Sequence, residues 1–116
     1  MTKNSISIFS GRVYEYVDKM PEYPGGNRAL FQWISNEIII PDSVPADALK
    51  KRIFVSCVIE EDGSVNNAKV ETKIDDLLKK EIERVLAKLP KWKPGEKNGN
   101  IVRVKTNFPL IINLVR

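Results

Sequence analysis

Apolar and polar positions alternate most persistently at the end of the chain. Over residues 102–114, Val102, Val104, Thr106, Phe108, Leu110, Ile112 and Leu114 share one face. Arg103, Lys105, Asn107, Pro109, Ile111 and Asn113 share the other. A period of two held this long predicts a strand with one buried side. A second alternating run, residues 52–60, sets Ile53, Val55, Cys57 and Ile59 against Phe54, Ser56, Val58 and Glu60. Asp62-Gly63 then predicts a two-residue hairpin turn, and residues 64–72 return with Val65, Ala68 and Val70. Asn66-Asn67 breaks the alternation there and predicts a bulge.

Two stretches follow a helical period instead. Leu30, Trp33, Ile34 and Glu37/Ile38, flanked by Phe31, predict a helix over 27–36 capped by Gly26 or Asn27. Leu77, Leu78, Ile82, Val85, Leu86 and Leu89 predict a second, from Asp75 or Asp76 to about Leu89, where Pro90 stops it. Lys79, Lys80, Glu81, Glu83, Arg84 and Lys88 then face water. Between these elements, residues 20–26 read as a rigid Pro/Gly turn, 38–41 as an extended piece, and 45–49 as one helical turn opened by proline. Trp92 starts a short extended segment and reads as core, its indole N–H donating to a backbone carbonyl. Pro94-Gly95 and Asn98-Gly99 read as successive turns.

At the other end, residues 1–12 read as a weakly ordered lead-in. Val13, Tyr14, Tyr16 and Val17 suggest a short strand or extended arm. The whole is an α+β two-layer sandwich, with two helices on one face of a small antiparallel sheet. Its 116 residues make one domain, spanning 13–116, and 42% hydrophobic content supplies a core without staples.

Composition narrows the chemistry. The net charge of +4, from 19 basic and 15 acidic residues, is below that of a dedicated nucleic-acid binder. Histidine is absent, which removes the commonest general base and the commonest metal ligand. The single cysteine, Cys57, sits on the apolar side of a strand and reads as a small core residue. Glu60, Glu61 and Asp62 cluster at a hairpin tip, where solvent keeps their acidity ordinary, and Asp75 and Asp76 are explained as caps. Ser56 and Ser64 have no histidine to activate them. No catalytic residue, metal ligand or cofactor site is therefore expected, and no enzyme. Residues 1–16 lack the apolar run of a signal peptide or a membrane helix.

The pattern resembles the carboxy-terminal domain of the TonB energy-transducer family, in its Bacteroidetes form. The resemblance rests on Val13-Tyr14 leading to Pro24-Gly25-Gly26, on Ile40-Pro41, and on the hairpin with Glu61-Asp62-Gly63-Ser64-Val65. It rests most on Leu89-Pro90-Lys91-Trp92-Lys93-Pro94-Gly95, followed by Asn98-Gly99 and the long strand with Pro109. It implies a periplasmic domain that grips TonB-dependent outer-membrane transporters, pairs a transporter peptide with its terminal strand, and passes on energy from an inner-membrane proton-driven motor. Where that family usually has Tyr-Pro, this chain has Ile40-Pro41, and a usual glycine is Lys51. The family's membrane anchor and proline-rich linker are not among these residues, which leaves an excised domain or a stand-alone relative.

The terminal strand makes that binding mode physically reasonable. Pro109 cannot donate to a ladder, so its nitrogen should face an open edge. Arg103 and Lys105 are charges of the kind that guard edges, and they would attract an acidic residue in an incoming peptide. The expected peptide site is Arg103, Lys105, Asn107, Pro109 and Ile111, with secondary contacts from Ile40, Pro41, Lys93, Pro94 and Gly95. The alternative is a protein-interaction adaptor of the same fold, possible as a homodimer through that edge. A basic nucleic-acid-binding domain, using Lys50-Lys51-Arg52 and the row Lys88, Lys91, Lys93 and Lys97, comes third.

Overall fold

The computed structural model describes residues 12–45, 47 and 52–110. Its elements are β1 (Val13–Tyr14), α1 (Gly26–Glu37), β2 (Ile53–Ile59), β3 (Val65–Val70), α2 (Asp76–Leu86), β4 (Gly95–Lys97) and β5 (Asn100–Leu110). The expected lead-in up to residue 11, most of the helical turn at 45–49, and the strand beyond Leu110, including Ile111, lie outside the described residues.

The sheet runs β1-β5-β2-β3, with β4 pairing β5 as well. β2 is antiparallel to both β3 and β5, whereas β1 runs parallel to β5. The sheet is therefore mixed rather than wholly antiparallel. The parallel pair is possible because β1 and β5 are remote in sequence, so no hairpin dictates their relative direction.

Both hairpins follow from their turn residues. In the first, the Gly63 N–H donates to the Glu60 carbonyl and the Glu60 N–H to the Ser64 carbonyl, each at 2.9 Å. The loop thus contains Glu61, Asp62 and Gly63, three residues where two were expected. Gly63, at φ 87°, supplies the left-handed residue that this longer loop requires. The Asp62 carboxylate accepts the Ser64 N–H at 2.9 Å and its hydroxyl at 2.6 Å. In the second, Asn98 and Gly99 both take positive φ (53° and 81°) and join β4 to β5, as a two-residue primed turn demands. Pro94-Gly95 does not turn; Gly95 begins β4. A Cβ at Gly95 would stand 2.6 Å from Val104 Cγ2 and 3.1 Å from the Lys19 carbonyl, so glycine is there for close packing.

The predicted bulge is present. Ser56 pairs with Lys69 but Val58 pairs with Asn66, so β3 carries one extra residue, and Asn67 takes φ 53°. The core lies between the sheet and the helices. Ile53, Val55, Cys57, Ile59, Phe108 and Leu110 meet Leu30, Ile34, Leu78, Ile82, Val85 and Leu86. Gly25, one residue before the expected caps, caps α1 without a side-chain bond, whereas Asp75 caps α2 by accepting from Leu77 and Leu78 N–H. With α2 started there, Leu77 falls off the buried stripe and is 48% exposed, contrary to its expected core role.

Two further expectations need correction. Trp92 is buried, edge-on to Tyr23 at 5.7 Å and tilted against Phe108 at 6.1 Å, yet its indole N–H has no partner among the described residues. Aromatic packing and the Trp92 backbone N–H, which donates to the Gly63 carbonyl at 2.8 Å, hold it instead. Glu81 and Glu83 do not simply face water. Glu81 accepts the Ile39 N–H at 2.7 Å, and Glu83 accepts the Val70 N–H at 3.2 Å, so each ties α2 to a neighbouring segment.

Candidate functional site

The directions of the β5 backbone groups follow from those of β2. The Phe54 carbonyl accepts from Glu71 N–H, and the Phe54 N–H donates to the Thr72 hydroxyl, both at 2.8 Å. Phe54 therefore turns its backbone toward β3. Along an antiparallel strand successive residues bond to opposite sides, so Ile53, Val55, Cys57 and Ile59 bond β5. Their register partners are Leu110, Phe108, Thr106 and Val104. Arg103, Lys105, Asn107 and Pro109 consequently direct their backbone groups to the opposite edge. Pro109 lacks its N–H on that outer side, as expected, and costs the β2 ladder nothing.

The same parity locates β4. Glu96 exchanges both backbone bonds with Lys19 (3.1 and 2.9 Å), so Gly95 and Lys97 turn theirs to Val102 and Asn100. These even-numbered residues of β5 face the side on which β2 lies, so β4 continues that side beyond the end of β2. Residues 19–22 cover the far edge of β4, with Glu22 and Lys93 exchanging a second pair of bonds at 3.0 and 2.8 Å. Lys93, Pro94 and Gly95 are thus built into the fold on the other side of β5 from its outer edge. Ile40 is half-buried against the core, and the Pro41 carbonyl accepts from Val44 N–H.

Only part of the outer edge is open. β1 occupies it at Arg103 and Val104. Beyond Val104, no strand among the described residues pairs with it. Asn107 and Pro109 are exposed there, and Lys105 is half-buried.

The structure overturns the sequence reading of Arg103 as an edge charge. Its side chain is buried and meets Glu60, with Nε 2.7 Å from Oε1 and Nη2 3.2 Å from Oε2. Glu60, read as a solvated acid at a hairpin tip, is 3% exposed and also accepts from Asn66 Nδ2 at 3.1 Å. Sequence reasoning missed this pair because the register of β2 on β5, strands far apart in sequence, leaves no local signal at either residue. With the register known, Glu60 falls one step beyond the Ile59–Val104 pair, against Arg103. The charge near the open edge is instead Lys105. It lines a groove with Val13, Ser56, Val58, Asn67 and Lys69 on the sheet face away from the helices.

Ionisation on this face is governed by local bonds. The Ser56 hydroxyl donates to Glu71 at 2.6 Å and holds its carboxyl below the usual range, with Lys69 and Lys105 adding to the effect. Burial pushes the Cys57 thiol up to about 12, so it stays protonated. Among the described residues, no group of three metal-ligating side chains comes together. The arrangement offers backbone hydrogen bonds beside a moderately basic face.

The family model for the C-terminal domain of the Gram-negative bacterial TonB protein matches residues 45–113. The chain belongs to the TonB C-terminal family. Neither a curated protein nor a solved structure matches it. The family's domain is a protein-interaction module, generally periplasmic, and the α+β fold with its long last strand agrees with it. The matched region begins after α1, so β1, residues 19–22 and α1 lie ahead of the segment that defines this TonB-like domain.

Proposed function

We propose that this domain is the receptor-contacting end of a TonB-type energy transducer in the periplasm. An extended peptide from a TonB-dependent outer-membrane transporter would add as a strand to the outer edge of β5. The observation that carries the reading is the set of outward backbone groups left open past β1 among the described residues: the Lys105 carbonyl, both groups of Asn107 and the Pro109 carbonyl. Lys105 adds a positive charge for an acidic residue of the peptide. Through a membrane anchor elsewhere in its transducer, the domain would couple the proton-motive force to uptake.

Backbone bonds alone give modest affinity. About five or six, at about 1 kcal/mol net each, leave a Kd of tens of micromolar to millimolar after the cost of association. Weak binding suits a contact made and broken in each transport cycle. Nucleic-acid binding is less well supported by the charges, because the Arg103 guanidinium is spent on Glu60 and Lys91 stands 3.8 Å from Asp62.

Asn107→Pro tests the proposal. It removes an outward N–H and leaves the β2 ladder intact. An NMR titration with a synthetic N-terminal peptide of a TonB-dependent transporter should show at least threefold weaker binding at unchanged thermal stability. Unchanged affinity in this variant rules out strand addition at this edge.

A further inference from the structure

We infer that β1 is a built-in occupant of the transporter-peptide edge, which an incoming peptide must displace. The inference rests on the strand-addition reading above. Because Arg103 and Lys105 turn their backbone groups outward, the parallel register of Val13 with Arg103 and Tyr14 with Val104 brings those groups against β1. Among the described residues, what then remains open is the Lys105 carbonyl, both groups of Asn107 and the Pro109 carbonyl. These are too few for the about five or six bonds a useful strand addition needs. The missing bonds are those that Arg103 and Lys105 give to β1. A peptide reaching them takes the place of Val13 and Tyr14.

β1 is built to be displaced. It is two residues long, and Val13 is 38% exposed. Short, exposed elements occupy the low end of local stability within a domain. Side-chain contacts nonetheless return it to one position. The Tyr14 ring lies 5.9 Å from Lys97 Nζ at the end of β4, which ties β1 to the β4–β5 hairpin. Asp18 accepts the Asn98 N–H at 2.7 Å, tethering the segment to the tip of the β4–β5 hairpin. The released segment therefore stays attached next to the edge. It returns when the peptide leaves, and it covers an edge that would otherwise pair with another chain. β1 precedes the region matched by the family model, residues 45–113.

An edge covered about nine-tenths of the time weakens apparent affinity about tenfold. Tyr14→Pro removes the N–H that β1 turns toward β5 and leaves the β2 ladder untouched. The full isotope-labelled chain and this variant are titrated with the same transporter N-terminal peptide. The expected result is about tenfold tighter binding by the variant. In the wild type, the Val13 and Tyr14 amide signals should move to released positions as the peptide saturates. That second readout does not depend on how the variant folds. Equal affinities, or Val13–Arg103 contacts that persist in the saturated wild-type complex, overturn the inference while leaving the edge a peptide site. Binding to neither protein overturns the peptide-binding reading itself, and the inference with it.

Discussion

Glu60→Ala tests the least expected feature of the sheet. Glu60 and Arg103 are 3% and 9% exposed, and their contacts are short enough to count as charge-assisted hydrogen bonds. Removing the carboxylate leaves a guanidinium in a site that water barely reaches, with Asn66 also short of an acceptor. Breaking a buried pair from one side costs about 3–5 kcal/mol. Domains of this kind have only about 5–15 kcal/mol in hand, so the loss is a large part of the total. At about 4 °C per kcal/mol for a domain of this size, the melting temperature should fall by about 12–20 °C. The double variant Glu60→Leu/Arg103→Met removes both charges and should recover most of the loss, because paired apolar replacements are often neutral or stabilising. Urea unfolding of wild type, both single variants and the double variant completes the thermodynamic cycle. If Glu60→Ala costs under about 1 kcal/mol, or the double variant is no more stable than the singles, the pair is solvated and the reasoning fails.

Three further outcomes are expected. Gly63→Ala should destabilise by about 2 kcal/mol or more in chemical denaturation, since Gly63 holds φ 87° and a Cβ would collide with the Trp92 carbonyl oxygen; a loss below about 0.5 kcal/mol would show that the loop shifts freely. Cys57, buried with its thiol pushed up to about 12, should resist a thiol-reactive dye in the native state and react once urea unfolds the chain; rapid native labelling would contradict its burial. Asp62, Glu71 and Glu81 all have carboxyls held below their ordinary values, by Ser64, Ser56 and Arg84 respectively. In acid the unfolded chain binds more protons than the native one, so their contribution is present above the usual carboxylate range and is lost as pH falls below about 4. Melting temperatures that stay level or rise from pH 5 to pH 3 would show that these bonds do not govern acid stability.

Much of the fold was legible because its signals are local. Alternation in β2 and β5, the stripe on α2, Asp75 as a cap and the Asn98-Gly99 turn each depend on neighbouring residues. The bulge at Asn67 was legible for the same reason. Most of the misreadings are non-local. Whether Asp62-Gly63 closes a loop of two or three residues depends on how β3 registers on β2. Whether Pro94-Gly95 turns or extends depends on residues 19–22, distant in sequence, arriving to pair with β4. Arg103 reads as an edge guard until Glu60 is placed beside it. For the site, the outward nitrogen of Pro109 was legible because proline excludes itself from a ladder. The occupant of the same edge was not, since a two-residue strand with no turn linking it to its partner leaves almost no pattern.

β5 can serve both the core and a partner because the two demands fall on alternate residues. Val104, Thr106, Phe108 and Leu110 spend their backbone bonds on β2 and are all buried, with Phe108 and Leu110 packed into the core against the helices. Arg103, Lys105, Asn107 and Pro109 have their backbone bonds free of β2, so a partner can come and go without disturbing the core ladder. An open edge of this kind invites uncontrolled pairing. Three features restrain it at different points along its length. β1 covers the start, Lys105 makes the middle unfavourable for another cation, and Pro109 removes a donor near the end of the described strand. Arg103 contributes differently: its buried bond to Glu60 pins β2 and β5 in register, and a one-residue slip would set that charge against an apolar neighbour. Open bonding groups and a fixed register are what strand addition requires of a receptor. In β5 the first comes from backbone parity and the second from a buried ion pair.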